Sequence, residues 1–241
     1  MSEPSAQRWA ERVVGATHVE GRRGSGAVTP IGARGQRTRA ALLTAAHRLF
    51  GEQGYQATTV AQIAEAAGVS LGTFYQYFAD RQAIVAELVG QAVARVMGPA
   101  QGMEDRLWRV RDGRPGLEKM ITAYVRLVAE DIHFWRAWDE VSHTDERLAR
   151  VRRDLGRVLT ESVERELYRG LRLGVVRPAL DPVLTARALT GMVDRFVYTT
   201  YFFDPPDPVP TPDESARLIT DLWVGALGLQ NPPQGGTDER S

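Results

Sequence analysis

The chain has 241 residues, 43% of them hydrophobic, and its 30 basic and 30 acidic side chains cancel to a formal net charge of zero. This length supports one large domain or two small ones with a substantial core. The absence of cysteine excludes disulfides and thiolate metal sites, and the four histidines lack metal-binding spacing, so we expect no metal or other cofactor. No apolar run is long enough to span a membrane. We therefore expect a cytoplasmic protein.

Positive charge is concentrated near the N-terminus. No acidic residue lies between Gly21 and Gly51. The same stretch contains the basic residues Arg22, Arg23, Arg34, Arg37, Arg39 and Arg48. We predict a flexible basic arm over residues 1–33, which either follows the phosphates of a nucleic acid or is a solvated tail.

Three helices are predicted next. The first carries an apolar face made by Leu42, Ala45, Ala46, Leu49 and Phe50. Thr59 and Gln62 have the spacing of a capping box, so a second helix begins near Val60, and Gly68 supplies the left-handed residue that ends it. Ser70 caps a third helix. Two short helices joined by a glycine-containing turn match the helix-turn-helix plan, whose second helix enters the major groove of DNA.

The residues predicted to be exposed on this unit suit contact with DNA. Phe74 and Phe78 point inward with Val69, so the rest of the third helix faces solvent. Glycine allows close approach of the backbone, and hydroxyl groups can donate to phosphate or base edges. Arg81 follows Asp80, the predicted cap of the next helix, and is expected to pair with a phosphate. The predicted DNA-binding residues are Thr59, Ser70, Leu71, Gly72, Thr73, Tyr75, Gln76, Tyr77 and Arg81.

A nucleophile-elbow pattern, G-x-S-x-G, overlaps this unit at Gly68–Gly72, and His133 and His143 lie downstream as nominal partners. The elbow requires a β-strand before the serine. A capped, alanine-rich helix precedes Ser70 instead. We therefore predict that the chain is not an enzyme and keep a serine hydrolase based on Ser70 as a remote alternative.

Helices continue to the end of the chain, and no segment shows the sustained alternation of a strand, so we predict an all-α fold. Pro115 is predicted at the first position of a helix, Thr144 at the start of a long helix that Gly174 ends, and Asp181 and Thr211 as caps. The predicted helices after Asp80 are 81–97, one from Pro115, 134–141, 144–173, 182–202 and 212–229.

Two further sites are predicted from apolar residues in this half. The last two helices are apolar on more than one face, which favours a homodimer over a thick monomeric core. The candidate dimer interface consists of Leu184, Ala188, Gly191, Tyr198, Leu218, Leu222 and Ala226. A mainly aromatic set fits either an effector pocket or ordinary core. Its members are Tyr124, Phe134, Trp135, Trp138, Met192, Arg195 and Phe196.

The segment from about Arg37 to Val89 strongly resembles the tetracycline-repressor (TetR) family of bacterial regulators. The matching residues are Phe50, Gly54, Thr59, Ile63, Ala64, Ala67, Gly68, Val69, Ser70, Thr73, Phe74, Tyr75, Tyr77 and Phe78. Arg81 stands where the family usually has lysine, which keeps the charge. Leu71 and Gln76 occupy variable positions that would set the operator sequence. Residues 174–198 resemble the C-terminal half of the family more loosely.

The resemblance implies an N-terminal three-helix DNA-binding domain at 34–82, an effector-binding and dimerisation domain at 83–230 and a flexible tail at 231–241. It implies about nine or ten helices in total. The expected protein is a homodimeric repressor that binds double-stranded, palindromic operator DNA and is released by a small hydrophobic effector. A regulator of the same fold that activates, or that responds to no ligand, is the alternative.

Overall fold

The computed structural model describes residues 32–101 and 114–229, with side-chain detail up to residue 95 in the first range. These residues form nine α-helices and one π-helical turn, with no strand among them, so the predicted all-α fold is confirmed. No helix in these two ranges is long and apolar enough to cross a membrane. The predicted arm up to position 31, including Arg22 and Arg23, and the predicted tail at 231–241 lie outside the described residues.

The helices begin and end close to their predicted positions. In chain order they are α1 (Ala33–Ala57), α2 (Val60–Ala66), α3 (Leu71–Tyr77), α4 (Arg81–Gln101), α5 (Arg114–Ala129), α6 (Ile132–Thr144), α7 (Glu146–Arg172), α8 (Pro182–Val197) and α9 (Pro212–Leu227), with the π-helical turn Tyr198–Phe203 directly after α8. The predicted caps Asp181 and Thr211 are both confirmed by hydrogen bonds from the amides of Leu184 and Glu214 to their side chains.

Two predicted boundaries are wrong, and one helix changes type before its predicted end. Thr144 does not start the long helix but is the last residue of α6, and Asp145 caps α7 by accepting from the amide of Leu148 at 3.0 Å. Aspartate is a stronger capping residue than threonine. Pro115 is the second residue of α5 rather than the first. Regular α-helix ends at Val197, and the wider π-helical turn carries the chain on to Phe203.

One compact unit consists of residues 32–97 and 130–158. Its core contains the fully buried apolar side chains Leu42, Ala46, Phe50, Ile63, Phe74, Ile84 and Val89. α1 packs against α2 and against α6, where the rings of His47 and Phe134 lie 4.7 Å apart. His47 Nε2 also lies 2.5 Å from Asp131 Oδ2. Gly54, at φ 80°, breaks the regular helix near the end of α1.

A buried carboxylate interrupts this apolar core. The side chain of Glu87 is 1% exposed and forms an ion pair with Arg39, and Gln91 Nε2 donates to its other oxygen at 2.9 Å. The Arg39 guanidinium lies 5.5 Å from the centre of the Phe78 ring. Arg39 belongs to the basic residues of the acid-free N-terminal stretch, but the fold pairs its charge with that of Glu87.

A second compact unit consists of residues 98–101, 114–129 and 159–229. α5 packs against α9 and, over a smaller area, against α8. Two ion pairs, Arg126 with Asp213 and Arg114 with Asp221, join α5 to α9. Helices α5, α8 and α9 contribute the buried side chains Leu117, Ile121, Val125, Val128, Ala186, Leu189, Val193, Ile219 and Trp223.

The compact units do not coincide with the functional domains expected from the sequence. Residues 83–97 and 130–158 pack in the same unit as the helix-turn-helix. The functional boundary at residue 82 stays a prediction, because packing does not by itself show which residues bind DNA or an effector.

Candidate nucleic-acid interface

Helices α2 and α3 are held by the local hydrogen bonds that the sequence predicted. The Thr59 hydroxyl accepts from the amide of Gln62 at 3.2 Å, and Gln62 Oε1 accepts from the amide of Thr59 at 2.8 Å. Gly68 adopts φ 68° in the turn. Ser70 Oγ then accepts from the amide of Thr73 at 3.1 Å and caps α3. The predicted capping box, glycine turn and second cap are therefore confirmed. Together they set the direction in which α3 continues from the turn.

α3 divides into a buried face and a solvent face. Phe74 is fully buried, and Phe78, just after the helix, is 2% exposed. Leu71 and Tyr75 are 47% and 55% exposed, and Gly72 and Gln76 are also exposed. Thr73 and Tyr77 are half-buried. The solvent face of α3 carries hydroxyl and amide groups and one apolar side chain, and no residue of α3 is acidic.

Gly72 is not required by the fold. Among the described residues, a Cβ atom built at this position would meet only Ser70 Oγ, at the ordinary contact distance of 3.8 Å. Glycine nevertheless costs a helix up to about 1 kcal/mol relative to alanine. The space left by the missing side chain lies on the exposed side of α3, where it allows another molecule to approach the backbone closely.

Ser70 is a capping residue, with a helix rather than a strand before it. Besides accepting from the Thr73 amide, its hydroxyl lies 2.9 Å from Thr73 Oγ1. Its backbone is extended and starts α3, whereas a nucleophile elbow is a turn between a strand and a helix. The geometry around Ser70 therefore does not support the hydrolase alternative.

Arg81 makes contacts within the chain that the sequence did not reveal. Its Nη1 donates to the carbonyl oxygen of Tyr55 at 3.0 Å and to that of Thr58 at 2.5 Å. The guanidinium lies 4.7 Å from the centre of the Tyr55 ring. Arg81 thus links the start of α4 to the end of α1. Its predicted contact with a phosphate stays a prediction.

Tyr55 is enclosed by this contact. The side chain is 4% exposed, and its hydroxyl has no hydrogen-bond partner among the described residues. Burial raises the pKa of Tyr55 to about 12, and the nearby positive charge of Arg81 only partly offsets that rise.

The residues predicted to line an effector pocket divide between the two compact units. Phe134, Trp135 and Trp138 are buried in the first unit, where Phe134 and Trp135 pack edge to face. In the second unit Tyr124, Met192 and Phe196 are half-buried, and Arg195 is exposed with its guanidinium 5.0 Å from the centre of the Tyr198 ring. The pocket stays a prediction.

The residues predicted to form a dimer interface lie mainly on the surface of the second unit. Leu184 is 66% exposed, and Ala188 and Gly191 follow it at helical spacing on α8 and are also exposed. On α9, Leu218 and Leu222 are about half exposed. Tyr198 and Ala226 are half-buried. Both helices therefore present apolar side chains to solvent.

Known proteins resemble this chain in sequence, some only within the first compact unit and some over most of the chain. Residues 42–88, which span most of α1, α2, α3 and the start of α4, match the family model of bacterial regulatory proteins of the tetR family. The HTH-type transcriptional regulator HbdR of Aromatoleum sp. (strain CIB) is 52% identical over 44 residues, which is 18% of this chain and 19% of that protein. The uncharacterized HTH-type transcriptional regulator YdgC of Bacillus subtilis is 25% identical over 189 residues, or 77% of this chain and 92% of that protein.

Solved structures share the helical fold. The fatty acid degradation regulator FadR from Bacillus halodurans has a TM-score of 0.64 at 20% identity, covering 80% of this chain and 97% of that one. SmeT in complex with triclosan has a TM-score of 0.63 at 23% identity, covering 82% and 96%. NalD of Pseudomonas aeruginosa, the secondary repressor of an efflux pump, has a TM-score of 0.62 at 22% identity, covering 83% and 100%. At these identities the likeness concerns the fold alone.

Proposed function

Since the chain belongs to the TetR family of DNA-binding transcriptional regulators, we propose that it is a homodimeric repressor released from a palindromic operator by a small hydrophobic effector. In a bacterium it would act in the cytoplasm, where the operator lies.

The solvent face of α3 is the observation that carries this proposal. The N-terminal end of a recognition helix enters the major groove, and there Gly72 lets the backbone approach the duplex. The hydroxyls of Tyr75 and Tyr77 can donate to phosphate oxygens, which position the protein without reading sequence. Leu71 and Gln76 are then the side chains that meet base edges, through a thymine methyl group or an amide hydrogen bond.

A homodimer is supported by the exposed apolar rows of α8 and α9. One recognition helix reads only a few base pairs, and two copies related by a two-fold axis read two half-sites of a palindrome. Leu184, Ala188 and Gly191 on α8 and Leu218 and Leu222 on α9 are apolar residues that a second copy would cover.

Release by an effector follows from the requirement for a fixed spacing. Two half-sites bind together only when the two copies of α3 keep the spacing of the duplex, so a ligand that prefers another spacing lowers DNA affinity by its differential affinity. The names of similar proteins include a fatty acid degradation regulator and a complex with triclosan, which supports a hydrophobic ligand.

Selection from a random duplex pool tests DNA binding directly. The wild-type chain should enrich an inverted repeat. Tyr75→Phe should bind the selected duplex more weakly by about 1–2 kcal/mol, since it loses a hydrogen bond to a charged oxygen. Tyr168→Phe is the matched control. Tyr168 lies on α7 and is 44% exposed, close to the 55% exposure of Tyr75 on α3. If no sequence is enriched, operator recognition is wrong.

Two further measurements test the mode of regulation. Triclosan and a long-chain fatty acid, titrated into the complex with the selected duplex, are the first probes of effector release. Expression from a promoter containing the selected sequence, with and without the protein, should be lower in its presence. Higher expression would show an activator instead.

A further inference from the structure

The carboxylate of Asp80 has two partners on two different helices. Its Oδ1 accepts from the amide of Ala83 at 2.7 Å and thereby caps α4. Its Oδ2 accepts from Arg147 Nη1, also at 2.7 Å. Arg147 lies in the first turn of α7, 67 residues further along the chain. The start of α4 is therefore bound to the start of α7 through the carboxylate that caps it.

Asp145 repeats this arrangement in the opposite direction. Its Oδ1 accepts from the amide of Leu148 and caps α7, and its Oδ2 accepts from Gln82 Nε2 in the first turn of α4 at 3.1 Å. Burial alone would raise the pKa of Asp145, but hydrogen bonds from Leu148, Gln82 and the Arg147 backbone together hold the pKa below its usual value. Each carboxylate caps its own helix and binds a side chain of the other, an arrangement named here the reciprocal cap.

The reciprocal cap lies directly beside the recognition helix. α3 ends at Tyr77, and only Phe78 and Ala79 separate it from Asp80. Phe78 is buried and its amide donates to the carbonyl of Phe74, so this connection has little freedom. Between the two residues that take part in the cap, Arg81 binds the carbonyls at the end of α1. Residues 80–82, which begin three positions after α3 ends, thus bind the end of α1 on one side and the corner between α6 and α7 on the other.

We propose that Arg147 and Gln82, acting through Asp80 and Asp145, are positioning residues that hold α3 in its DNA-binding orientation. This rests on the proposed function as a DNA-binding regulator. Asp145 and Arg147, far outside the helix-turn-helix, then set DNA affinity without touching DNA. When the reciprocal cap opens, the fraction of molecules in the competent orientation falls and the apparent Kd rises by the inverse of that fraction.

The first test compares two arginines of α7 in the full-length chain, using as probe a fluorescent duplex selected by the wild-type protein. Arg147→Met removes the ion pair to Asp80. Arg150→Met removes the same charge three residues away, where Arg150 pairs only at 3.9 Å with Glu146 of its own helix. Arg147→Met should raise the Kd, by at most about fivefold because that is the full effect of losing a partly exposed ion pair on the opening equilibrium, and Arg150→Met should raise it measurably less.

Rescue and salt dependence separate positioning from other roles. Arg147→Lys keeps the ion pair and should restore most of the affinity. The slope of log Kd against log salt should be the same in Arg147→Met and wild type, whereas loss of a phosphate contact lowers it by about 1. A lower slope would show that Arg147 touches DNA itself, and equal effects of Arg147→Met and Arg150→Met would show a general effect of charge. Either result overturns the proposal.

A double-mutant cycle identifies the partner. Asp80→Asn keeps a capping side chain on α4 but weakens the ion pair. In that background Arg147→Met should cost little further affinity, and Gln82→Met combined with Arg147→Met should weaken binding about tenfold. Additive losses for Asp80→Asn and Arg147→Met would overturn the assignment.

A wild-type protein that enriches no duplex would overturn the proposed function and this inference with it. A wild type that binds and an Arg147→Met variant that binds equally well would overturn this inference alone.

Discussion

Replacing Arg39 with methionine should destabilise the first compact unit severely. Arg39 and Glu87 form an ion pair in which the carboxylate side chain is 1% exposed and the arginine side chain 21%. Methionine keeps an unbranched apolar chain but removes the charge, so Glu87 would retain the hydrogen bond from Gln91 and lose its cation. Breaking a buried ion pair from one side costs about 3–5 kcal/mol, and the remaining Gln91 bond favours the lower end, about 3 kcal/mol.

Two comparisons isolate the cause. Arg48 lies on the same helix and pairs with Glu52 at the surface, where both side chains are more than half exposed. Arg48→Met should therefore cost less than about 1 kcal/mol. Replacing both partners, Arg39→Met with Glu87→Met, leaves no buried charge, and this double variant should recover to within about 1 kcal/mol of wild type.

Urea unfolding followed by far-ultraviolet circular dichroism measures these differences. Protein concentration must be equal in all samples, because association stabilises the folded state by mass action. The midpoint should shift while the slope with urea stays constant. If Arg39→Met is as mild as Arg48→Met, or if the double variant is less stable than Arg39→Met alone, Glu87 does not depend on the Arg39 charge.

Three further changes have directions set by the structure. Tyr55→Phe removes a buried hydroxyl that has no partner among the described residues, so urea unfolding at pH 7 should show equal or greater stability. The pKa of Tyr55 is raised to about 12 in the folded state. Wild type should therefore lose stability relative to the variant as pH rises above about 10. The pKa of Asp145 is lowered in the folded state, so the stability of wild type over Asp145→Asn should be present above about pH 4 and shrink as pH falls further, measured by thermal unfolding. Gly191→Arg should sediment as a monomer with an unchanged fold, because a Cβ atom built at Gly191 would meet no other described part of its own chain within 4 Å.

Each of these has a result that would contradict it. A clear loss of stability in Tyr55→Phe would mean that the hydroxyl is paired, and a difference between Asp145→Asn and wild type that does not vary with pH would mean that the carboxylate charge has no role. Gly156→Arg is the control for Gly191→Arg, since Gly156 is also exposed on a helix with open space around its Cα. If both arginine variants remain dimeric, the dimer interface lies elsewhere.

Local sequence determined where several helices begin and end, including those of the helix-turn-helix. The hydrogen bonds of Thr59 with Gln62, of Ser70 with Thr73 and of Thr211 with Glu214 each join residues three apart. Gly68 could be assigned to the turn for the same reason, since its left-handed conformation depends on its own missing side chain. Signals of this range are complete within one helical turn, so the sequence alone was sufficient for the all-α fold and the helix-turn-helix.

The start of α7 was misplaced by one residue, although a local preference for aspartate over threonine also favours the observed cap. Thr144 and Asp145 are both capping residues, and the choice of Asp145 is accompanied by a hydrogen bond from Gln82, 63 residues earlier in the chain. The change to a π-helical turn after Val197 has no counterpart in the apolar pattern, which continues through Phe203.

Tertiary structure alone decided the use of the charged residues. From the sequence alone, Arg39 and Arg81 are interpreted as charges that lie on the surface or face DNA. Any basic side chain near a helix-turn-helix is compatible with a phosphate contact, so the sequence does not reveal a partner within the chain. Their contacts are with Glu87, 48 residues away, and with carbonyl oxygens at the end of α1, 23 and 26 residues away. A long flexible side chain can reach many partners, and the packing of α1, α4 and the corner before α7 selects which of them it meets.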